Sequence, residues 1–95
     1  MINSTKAQLE EFKKSLIWKD ICTELDELAR LATLEYSIVG EPHTDDSGHK
    51  IIPNTSETLI HLGDIKGRLK AAEHFRSIID SLITGVEMQE DEKDN

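Results

Sequence analysis

Apolar residues recur at helical spacing over two long segments of this 95-residue chain, and this periodicity constrains its fold more than any other feature. The first segment covers about residues 5–36 and the second about residues 55–86. Thr5 and Asn54 stand at their N-terminal ends, each followed three residues later by Gln or Glu, which is the spacing of a capping box. Gly85 stands where a helix C-terminus is expected. The sequence therefore predicts an all-α chain with two helices, each roughly 45 Å long.

Each predicted helix carries one amphipathic stripe of the usual width. On the first helix this stripe contains Trp18, Ile21, Cys22, Leu25, Leu28, Ala29, Ala32 and Tyr36. On the second helix it contains Leu62, Ile65, Leu69, Ala72, Phe75, Ile79, Leu82, Ile83 and Val86. Two such stripes are natural partners in an antiparallel two-helix hairpin, so we interpret both as core.

The segment between the helices, residues 37–53, is rich in turn-forming residues such as Gly40 and Gly48. Two β-branched pairs, Ile38–Val39 and Ile51–Ile52, flank the turn region. These features favour either a plain ordered loop or a short β-hairpin at the tip of the helical hairpin.

Two further rows of apolar or small residues do not fit a simple two-helix core. The first row, Leu9, Phe12 and Leu16, lies opposite the main stripe of its helix. Either this helix bends near Ser15, or its N-terminal third contacts something other than the second helix. The second row contains Ile60, Gly63, Gly67, Ala71 and Ile78. Its glycines either allow another helix to approach closely or mark a local break, since Gly inside a helix is about 1 kcal/mol less favourable than Ala.

The lone tryptophan, Trp18, stands where the N-terminal row meets the main stripe, and it is either a core anchor or a binding hot spot. Two helices share only one mutual interface, and the apolar rows exceed it, so we expect self-association or a dedicated partner. The predicted interface consists of Leu9, Phe12, Leu16, Trp18, Ile60, Gly63, Gly67, Ala71 and Ile78.

The net charge of −8, from 19 acidic and 11 basic residues, argues against binding to phosphate backbones. Five of the acids lie in residues 87–95, which we predict to be a disordered acidic tail after a single domain at residues 1–86. Cys22 is the one cysteine, which fits a reducing intracellular setting. We find neither a targeting signal nor a membrane span, and we expect a cytoplasmic location.

No sequence pattern indicates catalysis, a metal site or a cofactor. Two histidines and two aspartates crowd the loop: His43, Asp45, Asp46 and His49. They match neither an EF-hand loop nor a His-x-x-x-His pair, and we interpret them as a solvated turn. Glu24 and Glu27 have a spacing found in helical nucleotide pyrophosphatases, yet the second helix offers no matching acids on one face. We therefore predict that the chain is not an enzyme.

A short pattern spans both predicted helices. Phe12-Lys13-Lys14-Ser15-Leu16-Ile17-Trp18-Lys19-Asp20-Ile21 is followed by Leu25 and Leu28, and later by Gly67-Arg68-Leu69. It resembles small helical proteins encoded among the virion structural and assembly genes of tailed bacteriophages, in which Phe-x-x-Ser-hydrophobic-hydrophobic-Trp opens one helix and Gly-Arg-hydrophobic a second. In this chain the connecting loop is longer and the second helix begins well before Gly67. The resemblance implies a phage structural component, located in the host cytoplasm or incorporated in the virion, and carries over no catalytic residue.

Two hypotheses follow for function. The first is a phage assembly protein that forms homo-oligomers or docks on a larger virion component. The alternative is an acidic phage-encoded inhibitor that binds a basic surface of a host protein, using charge to speed encounter. Neither hypothesis involves nucleic acid or a membrane.

Overall fold

The structure, a computed structural model, describes residues 1–94 as four helices and two short strands. In chain order these are α1 (Lys6–Lys13), α2 (Leu16–Tyr36), β1 (His43–Thr44), β2 (Lys50–Ile51), α3 (Thr55–Arg76) and α4 (Ile78–Asp94). α2 packs against α3, and α1 packs against α4. The prediction of a mostly helical chain is confirmed, and the two arms lie side by side, but each arm consists of two helices instead of the single helix predicted.

The break in the first arm comes from a local capping interaction. Ser15 has an extended backbone (φ −68°, ψ 153°), and its hydroxyl accepts a hydrogen bond from the backbone N–H of Trp18. This interaction satisfies a free N–H at the start of α2 and ends the helical path of α1 at Lys13. The sequence left two alternatives for the N-terminal row: a bend near Ser15, or a contact with something other than the second helix. The structure has the helix interrupted at Ser15.

The break in the second arm lies at Ser77 and not at Gly63 or Gly67, which are inside the continuous helix α3. The Ser77 hydroxyl donates to the carbonyl oxygens of Glu73 and His74, which closes the last turn of α3. Both N-terminal capping boxes form as predicted, with Thr5 at α1 and Asn54 at α3.

Ion pairs between the arms fix their antiparallel register at four levels. They are Lys6–Glu87, Lys13–Asp80, Asp26–Arg76 and Glu35–Arg68. This register places the two breaks, at Ser15 and Ser77, side by side at one level of the hairpin. Each pair is exposed to solvent, so screening by water keeps its contribution to stability small, and it serves mainly to align the arms.

The core is a narrow seam that runs along the whole hairpin. From the breaks toward the two chain termini it contains the buried residues Leu9, Trp18, Ile79 and Val86, with half-buried Ile2, Cys22, Ile78, Leu82 and Ile83 packed against them. Between α2 and α3 it contains the buried residues Ala32, Ile65 and Ala72. On α2 the inward positions run from Trp18 to Ala32 at alternating steps of four and three residues, which is the spacing of a coiled-coil seam.

The molecule is a rod of 64 × 30 × 18 Å with a radius of gyration of 20.0 Å. A compact chain of this length would have a radius of gyration of about 12 Å. The accessible surface of 7509 Å² likewise exceeds the value of about 5,500 Å² expected for a globular chain of this mass. Most side chains therefore have water on at least one side.

The tip of the hairpin is the short β-hairpin that was one of the two alternatives. β1 and β2 are antiparallel, with His43 opposite Ile51 and Thr44 opposite Lys50. The Asp45 carboxylate accepts hydrogen bonds from the backbone N–H groups of Ser47 and His49, and Gly48 has φ 84°, which favours glycine at this position of the turn.

The acidic C-terminal segment differs from the predicted disordered tail, because α4 continues through Asp94. Gln89 holds this end to the N-terminus, since its side-chain oxygen accepts a hydrogen bond of 2.9 Å from the Ile2 backbone N–H. Gly85 is inside α4 and does not end it. Ile2 packs over Gly85, and a methyl group added there would meet the Ile2 side chain at 2.5 Å. Asn95, the last residue of the predicted tail, lies outside the described residues.

Replacing Ile65 tests the seam. Ile65 is 1% exposed, so Ile65→Ala should lower the free energy of unfolding by about 2–4 kcal/mol, measured by urea denaturation followed by circular dichroism. Ile60→Ala is the matched control in the same helix, because Ile60 is 73% exposed, and we expect a change within about 0.5 kcal/mol. Equal losses in the two variants would contradict the orientation of α3.

Candidate functional site

The structure places three of the nine predicted interface residues in the seam. Leu9 and Trp18 are buried, and Ile78 is half-buried against the same cluster. Trp18 is a core anchor whose ring lies 5.9 Å from that of Phe12, centroid to centroid. These three side chains are therefore covered within the hairpin and not free for the predicted external contact; for Trp18 this is the core-anchor alternative. The break at Ser15 lets α1 pack against α4, so Leu9 faces the interior.

The other six predicted interface residues are exposed: Phe12, Leu16, Ile60, Gly63, Gly67 and Ala71. Those on α3 form a row on the side turned away from α2, and nothing lies within 4 Å of a methyl group added at Gly63 or Gly67. α1 and α3 do not contact each other, so Phe12 and the α3 row do not form one surface.

A second apolar row on α2 is more extensive, and the sequence reasoning did not separate it from the core. It consists of Ile17, Ile21, Leu28 and Leu31, all of which are exposed, and we name it the lateral stripe. Together with Glu24 and Glu35 these residues repeat at steps of four and three, as the core seam does, but offset by one residue. α2 therefore has two adjacent coiled-coil seams, of which only one is covered by α3.

Four side chains assigned to the core from the sequence are in fact exposed: Ile21, Leu28, Tyr36 and Phe75. For Ile21 and Leu28 the reason is geometric: one facing helix covers only the alternating four-and-three positions, which is a narrower band than an amphipathic stripe. Tyr36 continues the core spacing but is the last residue of α2, where its side chain is exposed. The sequence signal for the lateral stripe is a second series of residues at four-and-three spacing, which begins at Ile17, one residue before the core series that begins at Trp18.

Contacts at the loop end show which part of α3 borders the lateral stripe. Glu35 continues the stripe, and its carboxylate contacts both Arg68 and His61 of α3. Phe75 lies seven residues after Arg68, two turns along the same side of α3, and it is 55% exposed. The lateral stripe and Phe75 thus lie on the same side of the hairpin, which we name the lateral face.

The lateral face ends in a small polar network. The His61 Nε2–H donates to Glu35 at 2.6 Å, and the Arg68 guanidinium lies 2.7 Å from the other carboxylate oxygen. The hydrogen bond from His61, followed by that from Arg68, lowers the pKa of Glu35 below its ordinary value. The same carboxylate raises the pKa of Arg68. These groups are partly exposed and tie α2 to α3 beside the loop.

The described residues contain no group of three His, Cys, Asp or Glu side chains arranged to hold a metal ion. Asp45 is occupied in the turn, and His49 lies 3.6 Å from it. Within residues 1–94, no helix combines the length and apolar character needed to cross a membrane.

Replacing Gly67 tests whether the α3 row is a contact. Because space around this position is open, Gly67→Ala should raise the free energy of unfolding by about 0.5–1 kcal/mol, through helix propensity alone. The measurement is urea denaturation, with Gly63→Ala as a parallel variant. A loss of stability or of self-association would show instead that another surface packs closely against the α3 row.

Replacing Glu35 tests the polar network. A lowered pKa in the folded chain means that ionised Glu35 stabilises the fold above the unfolded-state pKa, and that this stabilisation disappears as the pH falls below about 4. Wild type should therefore have a higher Tm than Glu35→Gln at neutral pH, and the difference should shrink in acid. Glu24→Gln, which has no ion pair among the described residues, is the control, and its difference from wild type should vary less with pH. A Tm difference for Glu35→Gln that does not vary with pH would contradict this role.

Comparisons with protein-family models, with curated proteins and with solved structures find no match to this chain.

Proposed function

We propose that this chain is a small helical interaction protein that acts by associating with itself or with a larger partner, and not by catalysis. The observation that carries the proposal is the lateral stripe. Four large apolar side chains follow one side of α2 at coiled-coil spacing, and all are exposed to water. Surface patches of this kind on a small chain are typical of protein contacts.

The area of the molecule supports the same function. Its accessible surface exceeds that of a globular chain of equal mass by about 2,000 Å². An interface of standard size covers about 800 Å² on each partner. The rod therefore has enough additional surface for such a contact, while its buried core is limited to one seam.

The resemblance to small helical proteins of tailed-bacteriophage virion modules supports assembly as the setting for this association. In that setting the chain is a phage virion structural or assembly component. It either oligomerises or docks on a larger virion protein.

A second candidate function is that of an acidic inhibitor of a host protein. The observation that favours it is the C-terminal part of α4, which presents acids in an exposed, ordered helix: Glu87, Glu90, Asp91 and Glu92. Salt separates the two functions. Association of like-charged chains strengthens as salt screens the net charge of −8, whereas docking on a basic surface weakens.

Light scattering combined with a dye assay tests the association function. The purified chain should have a molar mass above the 10.7 kDa of one copy, or, if it is monomeric, should enhance the fluorescence of anilinonaphthalene sulfonate through its exposed stripe. A folded monomer with no dye binding at sub-millimolar concentration would contradict the proposal, because its apolar side chains would then be covered within the chain.

A further inference from the structure

We infer that the lateral stripe is the contact between two copies of this chain, which form a side-by-side four-helix bundle from α2 and α3 of each copy. This deepens the proposed function and rests on it, since it names the partner as a second copy. The contact consists of Ile17, Ile21, Leu28 and Leu31 of α2, with Phe75 at its border.

The two adjacent seams on α2 are the first reason. A helix in a two-stranded coiled coil needs one seam of alternating four-and-three spacing. A helix with two such seams has helical neighbours on two sides, as each helix of a four-helix bundle does. α3 covers one seam of α2, and the part of the chain that the structure describes supplies no cover for the other. A second hairpin provides the two missing helices.

The asymmetry of α2 is the second reason. The side of α2 opposite the lateral stripe is occupied by exposed polar residues: Lys19, Thr23, Asp26, Arg30 and Thr33. Of the two sides of α2 that flank the core seam, only the lateral stripe is therefore suited to burial. One-sided burial favours a closed pair of copies related by a two-fold axis, in which each copy uses the same residues, over an open layer.

The size of the lateral face is the third reason. α2 and α3 have 21 and 22 residues, so each is about 32 Å long. Two helices side by side are about 20 Å wide, which gives a flat projection of roughly 600 Å². Protruding side chains make the accessible area larger than this projection, so the face approaches the roughly 800 Å² that each partner of a standard interface buries.

Charge does not prevent the pairing. The lateral face includes Glu24 and the network of Glu35 with Arg68, so acids of α2 lie beside a cation of α3. The remaining acidic surplus of the chain lies partly in the last turns of α4, beyond the helices that would pair. Repulsion between two copies is therefore long-range and is screened by salt.

Sedimentation equilibrium on two leucine variants tests the inference. Leu28 is 58% exposed on the lateral stripe, and Leu34 is 53% exposed on another side of the same helix. Wild type should approach twice the 10.7 kDa of one chain as its concentration rises. Leu28→Glu should raise the dissociation constant of the pair more than about tenfold, because it would bury an unpaired charge. Leu34→Glu should leave that constant within about twofold of wild type, and circular dichroism should show equal helix content.

Other outcomes would overturn the inference in distinguishable ways. If wild type pairs and Leu28→Glu still pairs, the contact lies elsewhere, and the association function survives. If wild type stays monomeric but binds the dye, the partner is a different protein. A monomer that binds no dye contradicts both the inference and the proposed function. Leu31→Gln adds no charge and serves as the second variant if Leu28→Glu loses helix content.

Discussion

Two antiparallel helices can bury only one band of each other's surface, and this constraint shapes the whole molecule. The band includes Ile65, Ala72 and Ala32, and the alanines let the helix axes approach closely but bury little area. Because the seam is narrow, the stability of the chain depends on a few side chains, and its remaining apolar residues face water. A short chain without disulfides has few other means of compensating for so thin a core.

The paired breaks at Ser15 and Ser77 extend this seam instead of ending it. Trp18 of α2 packs together with Leu9 of α1 and Ile79 of α4, so one cluster of buried side chains crosses both breaks. The Trp18 side chain is therefore buried between the two arms and is not available to a partner. This leaves the smaller aliphatic residues of α2 as the apolar surface available to a partner.

The features of the fold that depend on local interactions, such as the helix caps, were predictable from the sequence. Thr5 and Asn54 each offer a capping side chain followed by Gln or Glu at the required spacing, and both capping boxes form. The break at Ser15 was one of two alternatives, because an N-cap competes with a continuous helix by only a small free-energy difference. The break at Ser77 had no comparable signal. Gly63 and Gly67 were the more conspicuous candidates, yet an exposed helix tolerates glycine at about 1 kcal/mol.

The features that depend on tertiary packing, such as which side chains of α2 face α3, could not be predicted from the sequence. Whether Leu28 faces α3 or solvent depends on how wide a band the opposing helix covers, and helical periodicity alone does not specify this. The helix over residues 87–94 begins beside distant contacts, since Val86 is buried in the cluster and the Gln89 side chain accepts a hydrogen bond from Ile2 near the N-terminus. Composition predicted disorder because it counts acids without these contacts.

The proposed pairing therefore depends on whether the lateral stripe is covered in solution. Hydroxyl-radical footprinting at low and high protein concentration measures this directly, residue by residue. If two copies pair through the lateral stripe, Leu28 and Leu31 become protected from oxidation as the concentration rises, while the similarly exposed Leu34 and Leu59, on other sides of the hairpin, do not. Oxidation of all four leucines that is independent of concentration would contradict it.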